Sequence, residues 1–452
     1  MDNNILLTEK ISKLFIKFSI PSVIAMSVTG IQALIDGIFL GRFVGTNALA
    51  SVNIAQPFMS LIIGVSLIIA IGAVSLIGRN LGEGNIKKAQ DACKSALIIT
   101  LFTSLLIMCF GIFCNRQIAS FLGANSVLID NTALYIRNLA FCSVFMCFSL
   151  VLGVFTRVIG RPDISMKANI FSLVVNITLN TLLIKVLNMG VFGASLATGI
   201  AFASGFVLSV IPFLNKKTII NFYSGKFNLN YSLDLLYNGS SEGVGSLAAA
   251  TTSFVFNLAF MKIAGENGVS AFTAIAYIAI FANLITGGIA AGIGPIISYN
   301  YGAKEYTRIK EILKLSSVVS ITLGLIIFTI IILFKENLIG LFITDNMEVT
   351  NIAVNGAKIY AIAFLFSGLN VIYSGYFTSI GKALASIVVA ASRGIVFIIL
   401  GVSILPRIFD IAGVWATVPT AEILTLIIVV FLCKNSLPSS KDNDDLVEDF
   451  VA

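Results

Sequence analysis

Apolar stretches long enough to cross a lipid bilayer recur along the whole sequence. A transmembrane helix needs ~20 mostly apolar residues, and the hydropathy of this chain predicts twelve such spans. They cover residues 15–40, 52–77, 92–114, 134–156, 166–187, 192–214, 239–261, 270–298, 315–334, 354–378, 383–405 and 414–433. Hydrophobic residues make up 57% of the chain and charged residues only 11%, which is more apolar surface than a soluble domain can bury. The sequence therefore predicts an all-α polytopic membrane protein.

The sequence carries none of the residue patterns that enzymes of the common classes use. It has no histidine, and its six cysteines lie mostly in apolar runs, where cysteine behaves as a small buried hydrophobe. Their spacing matches no metal site, and no phosphate-binding loop or nucleophile elbow is present. We therefore expect no enzymatic activity, no ATP hydrolysis and no cofactor.

Basic residues are concentrated in every second loop between the predicted spans. Most of the 29 lysines and arginines lie on one side when the loops are assigned alternately, so the positive-inside rule predicts that both termini are cytoplasmic. Loop lysines of this kind also explain the net charge of +7 without a nucleic-acid partner. The acidic C-terminal residues are typical of a solvated tail.

The two halves of the chain resemble each other at a constant offset of about 220 residues. Residues 76–82 correspond to residues 296–302, and Gly160 after the fourth span corresponds to Gly381 after the tenth. Because each half has an even number of spans, both enter the membrane in the same direction. We therefore predict twelve transmembrane helices in two parallel-repeat six-helix lobes. The predicted divisions are residues 1–214 for the N-terminal lobe, 215–238 for a cytoplasmic linker, 239–433 for the C-terminal lobe and 434–452 for a cytoplasmic tail.

Asp36 is an ionisable residue deep within the first predicted span. A carboxylate inside the membrane is costly and usually faces a cavity or a partner. Pro21 and Gln32 fall near the same helical face as Asp36, and proline commonly bends a helix in the membrane. We interpret Asp36 as a functional acid and Pro21 as a hinge. The alternative is that Asp36 lies near the helix end and reaches the outer interface.

Three polar residues of the first half could join Asp36 in one site. Asn176 and Asn180 are four residues apart on the fifth span and so share a face, and Thr198 lies on the sixth. One carboxylate with neutral oxygens suits a monovalent cation, Na⁺ or H⁺, and we predict that these four residues bind the coupling ion. In the second half Asp36 corresponds to Asn257, and the other three correspond to apolar positions. The alternative is that both amides only join helices.

A second group of polar residues is predicted to line a substrate cavity. Its centre is a stripe along the seventh span that begins at Glu242, for which an interfacial position beside the helix N-terminus is the alternative. The predicted cavity residues are Gln32, Glu242, Ser246, Ser253, Asn257, Tyr277, Asn283 and Asn370. Arg393 and Glu422 lie inside the last two spans and are expected to pair with each other.

Several of these segments together resemble the multidrug and toxic compound extrusion (MATE) transporters, in their bacterial branch. The resemblance rests most specifically on Pro21 with Asp36, Gly41 and residues 48–50, on residues 265–271, and next on residues 292–304, which are close to a signature of this branch. Residues 238–243 at the start of the seventh span also match. It implies two six-helix lobes in a V shape. It also implies alternating access, in which the substrate site opens to one side of the membrane and then to the other. It further implies export of organic cations or amphipaths in exchange for Na⁺ or H⁺ across a bacterial inner membrane. We expect the protein to act as a monomer.

The resemblance also implies a role for individual residues. In several members the cation site consists of the first-span acid, an Asn and an Asp four residues apart in the fifth span, and a sixth-span Thr. These positions fall on Asp36, Asn176, Asn180 and Thr198, so that Asn180 is an amide where the pattern has an acid.

Two other interpretations are a lipid-linked oligosaccharide flippase of the same superfamily, which needs a more cationic cavity, and a membrane scaffold or receptor without transport.

Overall fold

The computed structural model describes residues 5–340 and 346–434, and every regular element within these ranges is helical. Eleven helices are long and apolar enough to cross a membrane. We number them in chain order: α1 Ile11–Phe43, α2 Thr46–Gly82, α3 Ile86–Phe113, α4 Ile129–Val158, α5 Pro162–Val186, α6 Gly190–Leu214, α7 Leu229–Gly302, α8 Tyr306–Gly340, α9 Met347–Ser379, α10 Ala383–Ile404 and α11 Pro406–Lys434. The prediction of a polytopic all-α membrane protein is confirmed.

Helix α7 contains two of the twelve predicted spans. Its 74 residues would measure ~110 Å at 1.5 Å per residue, several times the thickness of a bilayer core. The backbone breaks at Gly265, whose φ of 59° and ψ of −150° are not helical. Glycine tolerates a positive φ that other residues avoid. Since this break falls between the predicted spans 239–261 and 270–298, the eleven helices account for twelve crossings.

The segment between α6 and α7 lies against the first half of α3. The Lys94 ammonium donates to the Phe222 carbonyl oxygen at 2.9 Å, and the Gln90 amide donates to that of Ile219 at 3.0 Å. The Asn228 side chain then accepts hydrogen bonds from two backbone amides and caps the N-terminus of α7, which begins at Leu229. The predicted linker, residues 215–238, is therefore a docked loop followed by the first turns of α7.

The chain divides into two compact units. The first comprises Met1–Gly243 and Gly292–Lys304, and the second comprises Val244–Ala291 and Glu305–Ala452, each as far as its residues are described. Both ends of α7 thus pack with the N-terminal helices, whereas the predicted lobes divide at the linker. The lobe boundaries themselves stay a prediction.

In the first unit, α2 meets the two ends of α7 through glycines. A methyl group on Gly72 would collide with the Leu235 carbonyl oxygen, and one on Gly239 would collide with that of Ile68. At the other end of α7, a methyl group on Gly302 would strike the Arg79 carbonyl. Small residues allow such close backbone approach between membrane helices. The sequence therefore requires glycine at these positions for α2 and α7 to touch.

The core of the second unit is built around Trp415, the only tryptophan in the sequence. Its ring lies 4.4 Å from that of Phe260, and Phe260 in turn stacks on Phe272 with 5.6 Å between ring centroids. Gly356 leaves the space that the indole fills. This aromatic cluster joins α7, α9 and α11.

Candidate functional site

Asp36 lies at the meeting point of α1, α5 and α6. Its Oδ1 accepts hydrogen bonds from the side-chain amides of Asn176 at 3.0 Å and Asn180 at 2.6 Å. Its Oδ2 accepts one from the Thr198 hydroxyl at 3.1 Å. The structure thus brings together all four residues predicted for the cation site. We call them the Asp36 cluster.

The Asp36 cluster is buried and carries an unbalanced charge. Asp36 is 9% exposed, Thr198 1%, and both asparagines are fully buried. Within the described residues only neutral donors surround the carboxylate, with no lysine or arginine among its partners. A buried carboxylate without a cationic partner is costly. Binding of a proton or a metal cation to the carboxylate would remove this cost.

One oxygen of the cluster has no hydrogen-bond partner. The Asn180 amide donates to Asp36 and also to the Asn176 Oδ1 at 3.1 Å, but its own Oδ1 is buried and unsatisfied. Such a group normally has a partner. The cluster therefore offers a carboxylate, two amide oxygens and a hydroxyl as metal ligands. Na⁺ binds hard oxygen ligands of this kind. The described residues contain no cluster of three or more His, Cys, Asp or Glu that would suit a transition metal.

The local backbone explains how α5 presents both amides. Asn176 and Asn180 are one turn apart, and the helix changes from α to π over Asn180–Val186. A π-turn widens the helix and is frequently found at functional sites. The change begins at the residue that makes the shortest bond to Asp36. The hydrophobic pattern of the span gives no sign of it.

Tyr135 on α4 belongs beside this cluster and is missed by the sequence analysis. Its side chain is 3% exposed, and its hydroxyl lies close to Thr198. A buried tyrosine hydroxyl requires a polar partner, and this is the signal that could have found it. In a largely apolar span, however, the residue resembles an ordinary core aromatic.

The predicted cavity residues are divided between the two units. Gln32, which is buried, and Glu242, which is half-buried, lie in the first. In the second, Ser246, Ser253 and Asn257 are exposed along one face of α7. Tyr277 and Asn283 are also exposed, further along the same helix. The stripe predicted for the seventh span is therefore present as an exposed polar face, and its role as a cavity lining stays a prediction.

Asn370 has a position different from that of the other predicted cavity residues. It is fully buried, and its amide donates to the Glu422 Oε2 at 2.6 Å and to the Glu422 carbonyl oxygen at 2.9 Å. The other carboxylate oxygen, Oε1, accepts from the Arg393 Nη2 at 2.7 Å. We call these three residues, from α9, α10 and α11, the Glu422 cluster. The expected pairing of Arg393 with Glu422 is confirmed, and the amide of Asn370 completes it.

Pro21 lies within α1, where residues Ile11–Phe43 form one continuous helix. The neighbouring Ser22 hydroxyl donates to the Phe18 carbonyl oxygen at 2.8 Å. The role of Pro21 as a hinge remains a prediction.

Comparison with known proteins matches both halves of the chain to one family. The model of the MatE family matches residues 21–182 and again residues 243–403, which together are more than half of the sequence. The chain belongs to the MatE family. The two matched segments of this MatE protein are nearly equal in length and follow the predicted internal repeat. Together with its eleven apolar helices, they make it a multi-pass membrane protein.

Individual relatives cover almost the whole MatE chain. A protein named multidrug export protein MepA, from Staphylococcus saprophyticus, is 25% identical over 434 residues, which are 94% of each chain. Among solved structures, one of a MATE protein in the straight conformation is similar with a TM-score of 0.89 at 21% identity, covering 96% of this chain and 97% of that one. One in the bent conformation gives 0.88, also at 21% identity, over 100% of both chains. These structural similarities show the fold.

Proposed function

We propose that this MatE protein is a secondary active antiporter of a bacterial cell membrane. It would export cationic or amphipathic organic compounds in exchange for Na⁺ or H⁺ by alternating access, acting as a monomer with both termini in the cytoplasm. The family membership and the similarity to a protein named for multidrug export support the substrate class. The basic loops support the orientation.

The observation that carries the ion-coupling proposal is the Asp36 cluster. Its carboxylate is buried, is held by three neutral donors and has no cationic partner among the described residues. The unsatisfied Asn180 Oδ1 lies on an amide already bonded to this carboxylate. A proton or Na⁺ would neutralise the charge, and either would give the free oxygen a partner.

Binding of the ion would change how three helices are held together. A proton on Asp36 converts an acceptor into a donor, and Na⁺ attracts oxygens where the amides now present nitrogen. In either case Asn176 and Asn180 must reorient, so the contact of α1 with α5 changes. We expect α1 to bend at Pro21 in response. Coupling requires only that ion and drug favour different states of the transporter.

The substrate would be recognised by the predicted cavity residues. Exposed hydroxyls and amides lie along α7 at Ser246, Ser253 and Asn257. They can hydrogen-bond to a substrate and orient it while allowing substrates of different chemical structure. Glu242 would attract the positive charge. Such a surface suits a broad range of amphipathic cations.

The test is ion-driven flux of an ethidium-like cation in proteoliposomes, with the Na⁺ and H⁺ gradients applied separately. Wild type, Asp36→Asn and a control Asp234→Asn, at an exposed carboxylate on α7, are compared. We expect wild type and the control to transport, and Asp36→Asn to show only the leak of empty vesicles. Dependence on pH alone would make the coupling ion a proton, and dependence on Na⁺ would make the cluster a metal site. Transport by Asp36→Asn at the wild-type rate would refute the proposal, and independence from both ions would favour the flippase.

A further inference from the structure

The Glu422 cluster uses both oxygens of its carboxylate. Oε1 accepts from Arg393 at 2.7 Å through Nη2 and at 3.2 Å through Nε, and Oε2 accepts from the Asn370 amide at 2.6 Å. The Glu422 side chain is 5% exposed and that of Arg393 is 23% exposed. The carboxylate therefore lies in the interior of the second unit, and the arginine reaches it from nearer the surface.

The Glu422 cluster repeats the chemistry of the Asp36 cluster with different residues. In both, an asparagine donates its amide to a buried carboxylate at 2.6 Å. In both, the Oδ1 of that asparagine is buried and has no hydrogen-bond partner, as is seen at Asn180 and Asn370. The difference is the guanidinium. Where the Asp36 carboxylate has neutral donors, Glu422 has a monovalent cation supplied by the chain.

The backbone around Arg393 is adapted to bring this cation to the carboxylate. The helix α10 changes from α to π over Ser392–Val396, immediately at the arginine. Two guanidinium nitrogens then reach one oxygen of Glu422, while Asn370 holds the other. A carboxylate that is neutralised and fully hydrogen-bonded in this way has no vacancy for a free ion.

We propose that Glu422 and Asn370 form a second site for a monovalent cation, and that the Arg393 guanidinium is its permanent occupant in this chain. Removing the guanidinium would open the site to a small cation from solution, with Glu422 as the anionic ligand and the free Asn370 Oδ1 beside it. This inference does not depend on antiport. If the proposed function also holds, the wild-type protein couples through the Asp36 cluster alone.

The experiment measures thermal unfolding of purified full-length protein through the fluorescence of Trp415. This single tryptophan is 2% exposed and lies on α11 two turns, ~10 Å, from Glu422. All variants carry Asp36→Asn, so that the Asp36 cluster contributes no response to ions. Guanidinium chloride is added in the low millimolar range, and NaCl separately, with choline chloride keeping the ionic strength constant.

We expect guanidinium to raise the unfolding temperature of the Arg393→Ala variant and to leave that of the Arg393 parent unchanged. At a concentration ~100 times the dissociation constant, the shift should be ~3 °C. Na⁺ should give a smaller shift in the same variant. Two matched controls should not respond: Arg393→Ala with Glu422→Gln, which lacks the carboxylate, and Arg393→Lys, which keeps a tethered cation.

The outcome that overturns the proposal is an Arg393→Ala variant that folds and responds to no added cation, because the pair would then be a structural salt bridge only. If this variant is recovered only when guanidinium is present during purification, the proposal is supported. If it stays unfolded with guanidinium while the double variant folds, the proposal fails. A failure here is distinguishable from failure of the antiport proposal, which is read from flux at Asp36.

Discussion

The Asp36 and Glu422 clusters show two fates of a buried carboxylate in one membrane protein. Both acids are buried and both are held at 2.6 Å by an asparagine amide. Asp36 otherwise meets only neutral groups, whereas Glu422 pairs with Arg393 at 2.7 Å. An unpaired acid remains able to bind an ion, and a paired acid is neutralised within the protein. The partner, rather than the depth of burial, therefore distinguishes the two acids.

The internal repeat relates some of the helices of the two clusters but not the positions of their acids. The first cluster draws on α1, α5 and α6, and the second on α9, α10 and α11. Each includes the fifth span of its half of the chain, α5 or α10, and each of these helices contains a π-segment. The two halves therefore use equivalent helices but place their acids on different ones. The two polar centres are therefore similar in chemistry but are not equivalent positions of the internal repeat.

The largest predicted effect is on stability and concerns Glu422→Gln. This change leaves the Arg393 charge without its partner, which costs about 3–5 kcal/mol for a fully buried pair. Because the arginine side chain is 23% exposed, we expect ~3 kcal/mol. Thermal unfolding followed through Trp415 gives the value.

The control for this prediction is the neutral pair Glu422→Gln with Arg393→Gln, which leaves no uncompensated charge and should regain most of the lost stability. Asp36→Asn, by contrast, removes a charge that has no cationic partner and should not destabilise. Equal losses for Glu422→Gln and Asp36→Asn would remove the distinction between the two clusters.

A smaller effect is predicted for Asn180→Asp, which adds a second carboxylate to the Asp36 cluster. Two adjacent acids repel each other until a cation binds between them, and affinity for a hard cation rises with the number of charged ligands. We expect the affinity for Na⁺ to increase at least about tenfold, which corresponds to ~1.4 kcal/mol. The unfolding temperature measured against Na⁺ concentration checks this.

The matched change in the second unit is Asn370→Asp. There Arg393 already neutralises the neighbouring carboxylate, so the response of the unfolding temperature to Na⁺ should stay that of the wild type. A Na⁺ response stronger than that of the wild type in both variants would show that the arginine does not occupy the second site. An absent response in both would argue against Na⁺ binding near Asp36.

The smallest effect is predicted for Thr198→Val. Valine keeps the shape but removes the hydrogen bond that Thr198 donates to the Asp36 Oδ2. One such bond contributes about 1 kcal/mol, so the apparent affinity for the coupling ion in the flux assay should fall less than tenfold. Thr417→Val is the control, because the buried Thr417 hydroxyl donates to the Gly413 carbonyl oxygen of its own helix. An equal effect of both changes on ion affinity would exclude a specific role for Thr198.

The helices and the Asp36 cluster were predictable because each leaves a mark in the sequence. Twenty-residue apolar runs have one solution in a bilayer, the helix, since every backbone group must be satisfied internally. Asp36 is conspicuous because a carboxylate is rare in such a run. The two asparagines share a helical face, and the internal repeat shows that the second half lacks their counterparts. The pairing of Arg393 with Glu422 follows from the cost of leaving either one alone.

Other features depend on contacts that no local pattern records. Asn370 looks like a cavity residue in sequence, but the carboxylate oxygen that Arg393 does not use holds it in the interior. Tyr135 resembles a core aromatic until its hydroxyl is seen beside Thr198. The π-segments at Asn180–Val186 and Ser392–Val396 have no counterpart in the hydrophobic pattern of their spans. The early start of α7 at Leu229 depends on a single cap, Asn228.

The glycine contacts between α2 and α7 also set an alignment. Gly72 and Gly239 lie against main-chain carbonyls at one end of α7, and Gly302 does so at the other. A displacement of α2 by one residue would present larger side chains to the same carbonyls. The three glycines therefore fix the register of the two helices, because only one alignment allows the backbones to come into contact. Whatever else moves in this protein, that surface returns to the same position or does not close at all.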